Sequence, residues 1–376
     1  MMNDFLLIGL SLVISITAGI IYIPGIVIIS KKKNLYDTAG GRKPHKGNIP
    51  RTAGLAFFPT FILSFFVPFT LMCIVSKNDA VRLLESSAAI QTGMLLAGLS
   101  LLFMMGFVDD LIGVSWRRKF LIQFLAGLMP VLAGMGITDL DGLFGLHQIN
   151  GWAGSILTIL AVMLIVNAYN LIDGIDGLCS SLSVLATTVL GGWFLTHGYT
   201  LYALTCASII GITIVYFYYN TTFGRFRTFM GDTGSTNLGF IIAFLALAYY
   251  NCQIETDSVN GHPLAILMGL VSLPLLDTAR VFAVRISKGL SPFHPDKRHL
   301  HHKLLELGLK HLHCTLICIA LQGCSFGINY LIRDVNINIV IAVNIAFMLL
   351  YTLSIDGMVR RRVAARQMEK KQENVN

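Results

Sequence analysis

The sequence predicts an all-α integral membrane protein with about eleven transmembrane helices. Its 376 residues are 55% hydrophobic and 13% charged, with a mean hydropathy of +0.69. Because a soluble domain carries about 25% charged residues, little of this chain can form one. The apolar runs are continuous rather than alternating, which selects helices over a β-barrel. The runs lie at 5–29, 53–74, 88–108, 119–137, 153–171, 178–196, 199–219, 235–250, 263–284, 314–332 and 337–358.

Positive charge predicts the topology. All but three of the 28 Lys and Arg residues lie in the loops after odd-numbered helices, near the end of the ninth helix or in the C-terminal tail. The three exceptions are Lys77, Arg82 and Arg333. Basic loops face the cytoplasm, so we expect the N-terminus outside and the C-terminus in the cytoplasm. The expected organisation is one transmembrane domain at 1–358 followed by a basic cytoplasmic tail at 359–376.

The stretch from Asn170 to Gly177 is the strongest sign of a functional site. Asp173 and Asp176 stand where one apolar run stops and another begins. An acidic residue so near hydrocarbon costs about 2.5–3.5 kcal/mol on insertion scales. Three residues apart, the two carboxylates share a face if the stretch is helical. Neighbouring glycines would let a ligand approach the backbone.

Two more acidic motifs end or begin helices. Asp109 and Asp110 close the third helix, where they could bind a cation or hold a proton, or simply cap the helix. Asp232, between Gly231 and Gly234, opens the eighth. A helix N-terminus suits phosphate, and an aspartate there suits Mg²⁺. The alternative is that Asp232 is an N-cap.

Basic and histidine side chains supply candidate phosphate donors. His299, His301 and His302 stand close to further cations, in a spacing that favours phosphate contact over a zinc site. A solvated loop would explain the cations but explains the histidines poorly. His45 lies in the first basic loop, and Lys119 follows the third helix. For these two residues contact with anionic lipids is an equal alternative.

Other ionisable residues predict structural roles. Asp277 and Arg280 stand three apart inside the ninth helix, where an ion pair would neutralise both. We read His311 and His313 as interfacial. A transporter of an anionic solute is the alternative from another functional class, but it would place its ionisable residues near the midplane. Carboxylates gathered with phosphate donors on one face instead favour Mg²⁺-dependent chemistry on a diphosphate, with a lipid as one substrate.

Four motifs, in this order along the chain, resemble the polyprenyl-phosphate N-acetylhexosamine-1-phosphate transferase superfamily, the glycosyltransferase 4 family. They are Asp109-Asp110, Asn170-Leu171-Ile172-Asp173-Gly174-Ile175-Asp176-Gly177, Phe229-Met230-Gly231-Asp232-Thr233-Gly234-Ser235 and His299-Leu300-His301-His302. The resemblance spans about residues 35–305. It implies ten or eleven helices with a cytoplasmic site.

The resemblance also implies roles for individual residues. Asp232, with Asp173, would bind Mg²⁺, for which Mn²⁺ is the alternative. Asp109 would accept a proton from the lipid phosphate beside Asp110, and Phe229 would stack on uracil. The remaining assignments place Asp173, Asp176 and His299 in the catalytic set with these aspartates, and give substrate contacts to Asn170, Arg285, His301, His302, His45 and Lys119.

The segment from Ser291 to His302 resembles the branch that uses UDP-N-acetylglucosamine. This predicts transfer of N-acetylglucosamine-1-phosphate, or a related sugar phosphate, to undecaprenyl phosphate with release of UMP. A UDP-N-acetylmuramoyl-pentapeptide substrate is the nearer alternative, but Leu300 interrupts the histidine triplet typical of that branch. The expected setting is the bacterial inner membrane, with membrane lipids and no nucleic acid as partners, and a homodimer left open.

Overall fold

The computed structural model describes residues 4–37, 49–75, 81, 87–222, 224–255, 261–291 and 296–373. These residues form twelve α-helices and two small antiparallel strand pairs. The helices are α1 Asp4–Lys32, α2 Phe57–Val75, α3 Ser87–Ile112, α4 Trp116–Leu132, α5 Gly151–Ile172, α6 Leu178–Thr196, α7 Thr200–Thr221, α8 Gly231–Glu255, α9 Pro263–Ser287, α10 Leu300–Glu306, α11 His311–Leu331 and α12 Ile337–Glu373. The strands are β1 Tyr36–Asp37, β2 Ile49–Pro50, β3 Asp139–Leu143 and β4 Leu146–Gln148.

The predicted all-α, multi-pass fold is confirmed, since every predicted apolar run forms a helix. Ten helices of the described residues are long and apolar enough to cross a membrane. The remaining run, the fourth along the chain, forms α4, which ends at Leu132 rather than at the predicted residue 137. Gly134 adopts a φ of +78° there, and the N–H of Met135 bonds the carbonyl of Pro130 at 3.0 Å. This left-handed cap ends the helix five residues early.

Helices α7 and α8 form the centre of the molecule. In the most apolar 18 residues of α7 and of α8, 83% and 89% of the residues are buried, whereas in those of α1 only 28% are. Helix α1 packs on α7, whereas α3 and α5 pack on α8. The first turn of α8 is therefore surrounded by the ends of several helices.

Helix α8 is longer than its predicted run of 235–250, beginning at Gly231 and ending at Glu255. Its first turn contains Asp232 and Thr233, which lie outside the predicted apolar run. Acceptors on α3 hold the N–H groups of both residues, as described below. Because tertiary contacts satisfy this polar turn, it can be helical without being apolar.

Helix α9 continues through Pro274, but Pro274 has no N–H to donate and so interrupts the backbone hydrogen bonds. The side-chain amide of Gln322, from α11, bridges the adjacent pair of backbone groups. Its oxygen accepts the N–H of Leu273 at 2.9 Å, and its nitrogen donates to the carbonyl of Gly269. The second half of α9, which carries several site residues, is thus fixed against α11.

The two ends of the helix bundle differ in composition. At one end α3 and α5 finish and α6 and α8 begin, so all four motifs meet there. At the other end lies the hairpin of β3 and β4, against which the hydroxyl of Tyr250 bonds the carbonyl of Asp139 at 2.7 Å. Helix α12 continues as one helix through the predicted tail boundary at residue 359.

Candidate functional site

The start of α8 is held by Asp110 from the end of α3. The Asp110 carboxylate accepts the N–H of Asp232 at 2.8 Å, the N–H of Thr233 at 3.0 Å and the Thr233 hydroxyl at 2.6 Å. Gly231 has a φ of +74°, and a Cβ there would collide with Asp110 and with the carbonyl of Arg51. The glycine and the carboxylate therefore fix the direction in which α8 leaves the site.

Lys119 joins the other carboxylates of this region. Its ammonium contacts Asp109 and lies 2.7 Å from Asp232. The Arg51 guanidinium lies 3.7 Å from the second oxygen of Asp232. Asp109 also accepts the N–H of Val114 at 2.6 Å. One cation thus bridges two predicted functional aspartates from different helices.

The turn between α5 and α6 brings a third carboxylate to this place. Asn170 donates to the Ser235 hydroxyl at 2.9 Å and so ties the end of α5 to the first turns of α8. Asp173 follows α5 and makes no hydrogen bond or ion pair within the described part of the chain. Burial raises its pKa well above the usual range, and the charges of Asp232 and Asp110 add to that shift.

Asp173 and Asp232 fit a magnesium site. In the described ranges no group of three or more His, Cys, Asp or Glu is arranged to hold a metal alone. Mg²⁺ commonly takes only one or two carboxylates and fills its shell with water and substrate phosphate, so two are enough. Burial is the main cause of the raised pKa of Asp173, and the neighbouring carboxylates add repulsion that a divalent cation would relieve.

Asp176, the second acidic residue of the turn, is buried among different partners. Its carboxylate lies 2.7 Å from the Arg227 guanidinium and 3.3 Å from His311 Nδ1. Its carbonyl accepts the Thr315 hydroxyl at 2.8 Å. These contacts anchor the turn to α11 and to the segment before α8.

Arg285, predicted to contact substrate, is 2% exposed and makes a two-pronged ion pair with Asp296. The two bonds, from Nε and from a terminal nitrogen, are both 3.0 Å long. Burial raises the pKa of Asp296, but the Arg285 bonds outweigh it and lower the pKa to about 2. In the described residues Arg285 thus fixes the segment that leads into the histidines.

The histidine segment packs directly on the aspartate turn. A Cβ at Gly174 would collide with His301 Nε2, so only glycine allows this approach. His301 is 1% exposed, and its two ring nitrogens have no hydrogen-bond partner in the described residues. Burial lowers its pKa well below the usual value. Burial together with the charge of His299 lowers the pKa of His302 to about 4. Both rings therefore favour the neutral form.

The structure brings most of the predicted site residues together at one end of the bundle. The connected set is Asp109, Asp110, Lys119, Asn170, Asp173, Asp232, His301 and His302. The partly exposed Phe229 is held beside them because its N–H bonds the carbonyl of Pro50 at 2.8 Å. His45 lies outside the described residues.

Sequence reasoning missed several members of the site. Arg227 and His311 contact a predicted aspartate but lacked a motif of their own. Arg51 ends the first basic loop, which could order around an anion, but its contact with Asp232 was not predicted. Arg227 stands two residues before Phe229, a proximity that could have suggested it. His311, which we read as interfacial, instead contacts Asp176. No signal in the sequence connects it to that turn, because 135 positions separate them.

Comparison with known proteins gives a family and several named relatives. The profile of glycosyl transferase family 4 matches residues 92–250. The chain is 30% identical to the undecaprenyl-phosphate alpha-N-acetylglucosaminyl 1-phosphate transferase of Escherichia coli O157:H7, over 74% of this chain and 71% of the relative. A Salmonella typhi protein of the same name is 31% identical over 74% and 71%. A probable undecaprenyl-phosphate N-acetylglucosaminyl 1-phosphate transferase of Bacillus subtilis (strain 168) is 29% identical over 85% and 83%.

Proposed function

Because this chain belongs to glycosyl transferase family 4, we propose that it transfers N-acetylglucosamine-1-phosphate from UDP-N-acetylglucosamine to undecaprenyl phosphate. The names of the relatives support the lipid and the sugar phosphate. The observation that carries the proposal is the Lys119 ammonium, which contacts Asp109 and lies 2.7 Å from Asp232. It joins the motifs of Asp109 and Asp232 in one cluster, although Lys119 and Asp232 are 113 positions apart. Such a cluster is suited to binding a phosphate-bearing substrate.

The proposed reaction is a phosphoryl transfer. A phosphate oxygen of undecaprenyl phosphate attacks the sugar-linked phosphorus of the UDP-sugar. The bond from that phosphorus to the oxygen bridging the two phosphates breaks, and UMP leaves with that oxygen. The product is the lipid diphospho-sugar. Such a reaction depends on positioning and charge neutralisation more than on covalent help from the protein.

The protein's residues would divide this work. Lys119 and Arg51 supply positive charge beside Asp232, where the phosphates would lie. His301 and His302, neutral by their lowered pKa values, would donate hydrogen bonds to the diphosphate or the sugar without repelling the cations. Asp109 would accept any proton still carried by the lipid phosphate. Asp110 keeps the start of α8 in place for all of them.

We propose Mg²⁺ as the cofactor, held by Asp232 and Asp173. When bound, it would neutralise charge on the diphosphate as the leaving group departs. The support is that Asp173 is removed from water and that the charge of the neighbouring Asp232 raises its pKa further. The site is proposed to face the cytoplasm, because the sequence has nearly all its Lys and Arg residues in the loops after odd-numbered apolar runs, near the end of the ninth helix or in the tail.

The transporter alternative finds no support in α9. It needs ionisable side chains directed to a cavity at the midplane. Asp277 and Arg280 instead lie 2.6 Å apart and neutralise each other.

Purified protein in lipid nanodiscs tests the proposal. With undecaprenyl phosphate, Mg²⁺ and a panel of UDP-sugars, we expect UMP release and lipid product with UDP-N-acetylglucosamine, and none after chelation of the metal. Preference for UDP-N-acetylmuramoyl-pentapeptide would replace the substrate assignment. Lack of UMP release with every UDP-sugar would refute the transferase proposal.

A further inference from the structure

Asp277, inside α9, does more than pair with Arg280. Its carboxylate is 2% exposed and lies 2.9 Å from His299 Nδ1. Both of its oxygens also lie 3.2 Å from the N–H of Leu300. Arg280, bound to the same carboxylate, donates to the carbonyl of Arg298 at 2.8 Å. The start of α10 is therefore held by Asp277 of α9 and by its partner Arg280.

This arrangement defines the tautomer of His299. A carboxylate oxygen only accepts hydrogen bonds, so the His299 nitrogen facing Asp277 must carry a proton. The other ring nitrogen, Nε2, is buried and has no hydrogen-bond partner in the described residues. If Asp277 served only to stabilise the fold, its pairing with Arg280 would be enough. A histidine with Nδ1 bonded and Nε2 without a partner in the described residues would not be required.

The ordered ring lies next to the site. His299 and His301 are stacked, with ring centres 5.8 Å apart and planes 11° apart. His301 packs on Gly174, which adjoins Asp173 in the turn between α5 and α6. A change in the His299 ring would thus reach the histidine that contacts the aspartate turn.

We propose that Asp277 is a positioning residue, which orients His299 and fixes its proton on Nδ1 so that Nε2 is available to the sugar nucleotide. This inference rests on the proposed function, in which the histidine segment contacts the UDP-sugar. Partners that hold a histidine in this way are common around catalytic and metal-binding imidazoles, where their loss costs about 10- to 100-fold.

The kinetic test compares Asp277→Asn, His299→Gln and the double variant in nanodiscs. We expect Asp277→Asn to lower kcat/KM for UDP-N-acetylglucosamine about 10- to 100-fold per folded molecule, while KM for undecaprenyl phosphate stays within about twofold. The double variant should be no worse than His299→Gln, since both changes remove one function. The proposal would be overturned if the losses of the two single variants multiplied in the double variant. Equal losses for UDP-N-acetylglucosamine and undecaprenyl phosphate would also overturn it.

Asp356→Asn is the matched control. Asp356 also anchors α10, through an ion pair with Lys303 at 2.6 Å, but it does not touch a site histidine. If the kinetic loss came from a loosened α10, both variants should lose activity alike. If it came from a misoriented His299 ring, only Asp277→Asn should lose activity. Equal kinetic losses in the two variants would therefore refute the positioning role.

A spectroscopic measurement separates this proposal from the proposed function. The protein contains 10 histidines, and comparison with His299→Gln assigns the His299 ring signals in a ¹⁵N-histidine-labelled sample. We expect a proton on Nδ1 in the wild type and a changed tautomer ratio in Asp277→Asn. A proton on Nε2 alone in the wild type would overturn the proposal even if that variant does not fold. Failure of the transferase proposal would instead appear as absent UMP release by the wild type.

Discussion

Asp110 accepts the backbone N–H of Asp232 at 2.8 Å, so the end of α3 fixes the start of α8. The two adjacent aspartates of the motif therefore have different tasks. Asp110 satisfies two backbone N–H groups and a hydroxyl, whereas Asp109 contacts Lys119 and a single N–H. The first is committed to structure, and the second is the better candidate for chemistry.

Variants at these two positions should separate the tasks. We expect Asp110→Ala to lower stability by about 1–3 kcal/mol, because buried N–H groups lose their acceptor. Asp109→Asn should lower the thermal midpoint less than Asp110→Ala does, but it should lose most of the transferase activity. Thermal unfolding in detergent and UMP release measure the two effects. Equal loss of stability in the two variants would contradict this division.

Asp232→Asn should remove activity without unfolding the protein. The backbone N–H at 232 would still bond Asp110, so the start of α8 should persist. Loss of a charged group that holds a metal on a diphosphate predicts a fall of about 10²–10³-fold in kcat, equivalent to several kcal/mol. Monodisperse elution and a near-normal thermal midpoint are the controls. Full activity would exclude a metal role for Asp232.

The Mg²⁺ requirement should increase at low pH. Burial raises the pKa of Asp173, so protons compete with the metal for its carboxylate at a higher pH than they would for an exposed aspartate. Below that pKa we expect the Mg²⁺ concentration for half-maximal activity to rise by up to about tenfold per pH unit. Asp173→Asn should weaken Mg²⁺ binding at all pH values and remove this dependence. An Mg²⁺ requirement independent of pH in the wild type would contradict the assignment of Asp173.

Local sequence predicts the spans and the motifs, but not how the motifs meet. The eleven apolar runs are confirmed as helices because hydrophobicity and backbone satisfaction are local properties. The family resemblance, carried by four motifs, is confirmed by relatives at 30% and 31% identity. The apolar run at 235–250 excludes the polar first turn of α8. The motif around Asp232 predicts a helix start there, but no local pattern identifies Asp110 as the acceptor that holds it.

Partners supplied from distant elements could not be predicted. The pairing of Asp277 with Arg280 is local in a helix and is confirmed at 2.6 Å. The contact of Asp277 with His299 depends on how α10 folds back on α9. Likewise Asp176 meets Arg227 and His311 only after three segments have packed. Asp277 and Asp176 therefore connect several elements around the site, which their positions in the sequence do not reveal.

Gln322 should be essential for the stability of α9. Gln322→Leu leaves the N–H of Leu273 and the carbonyl of Gly269 without their partner beside Pro274, at a cost of about 1–3 kcal/mol. Activity should fall as well, because Arg280 and Arg285 follow the interruption. Gln148→Leu, at an exposed position of β4, is the matched control for the lost amide. An unchanged thermal midpoint in Gln322→Leu would refute this bridging role.

The histidine segment should make stability fall at acidic pH. Burial lowers the folded-state pKa of His302 from 6.5 to about 4, so the unfolded chain binds this proton more readily. The free energy of unfolding is therefore unaffected by this proton above the unfolded-state pKa of about 6.5. It decreases as the pH falls from about 6.5 toward 4. His301, also with a lowered pKa, acts in the same direction.

Thermal midpoints between about pH 7.5 and 4.5 should therefore decline in the wild type and decline less in His302→Gln, because glutamine takes up no proton in this range. His313→Gln, at an exposed position of α11, is the matched control and should follow the wild type. If His302→Gln and His313→Gln have the same pH dependence, protonation of the half-buried His302 ring does not destabilise the fold. A flatter curve for His302→Gln alone would indicate that the native histidine segment excludes the proton, as its neutral hydrogen-bonding role requires.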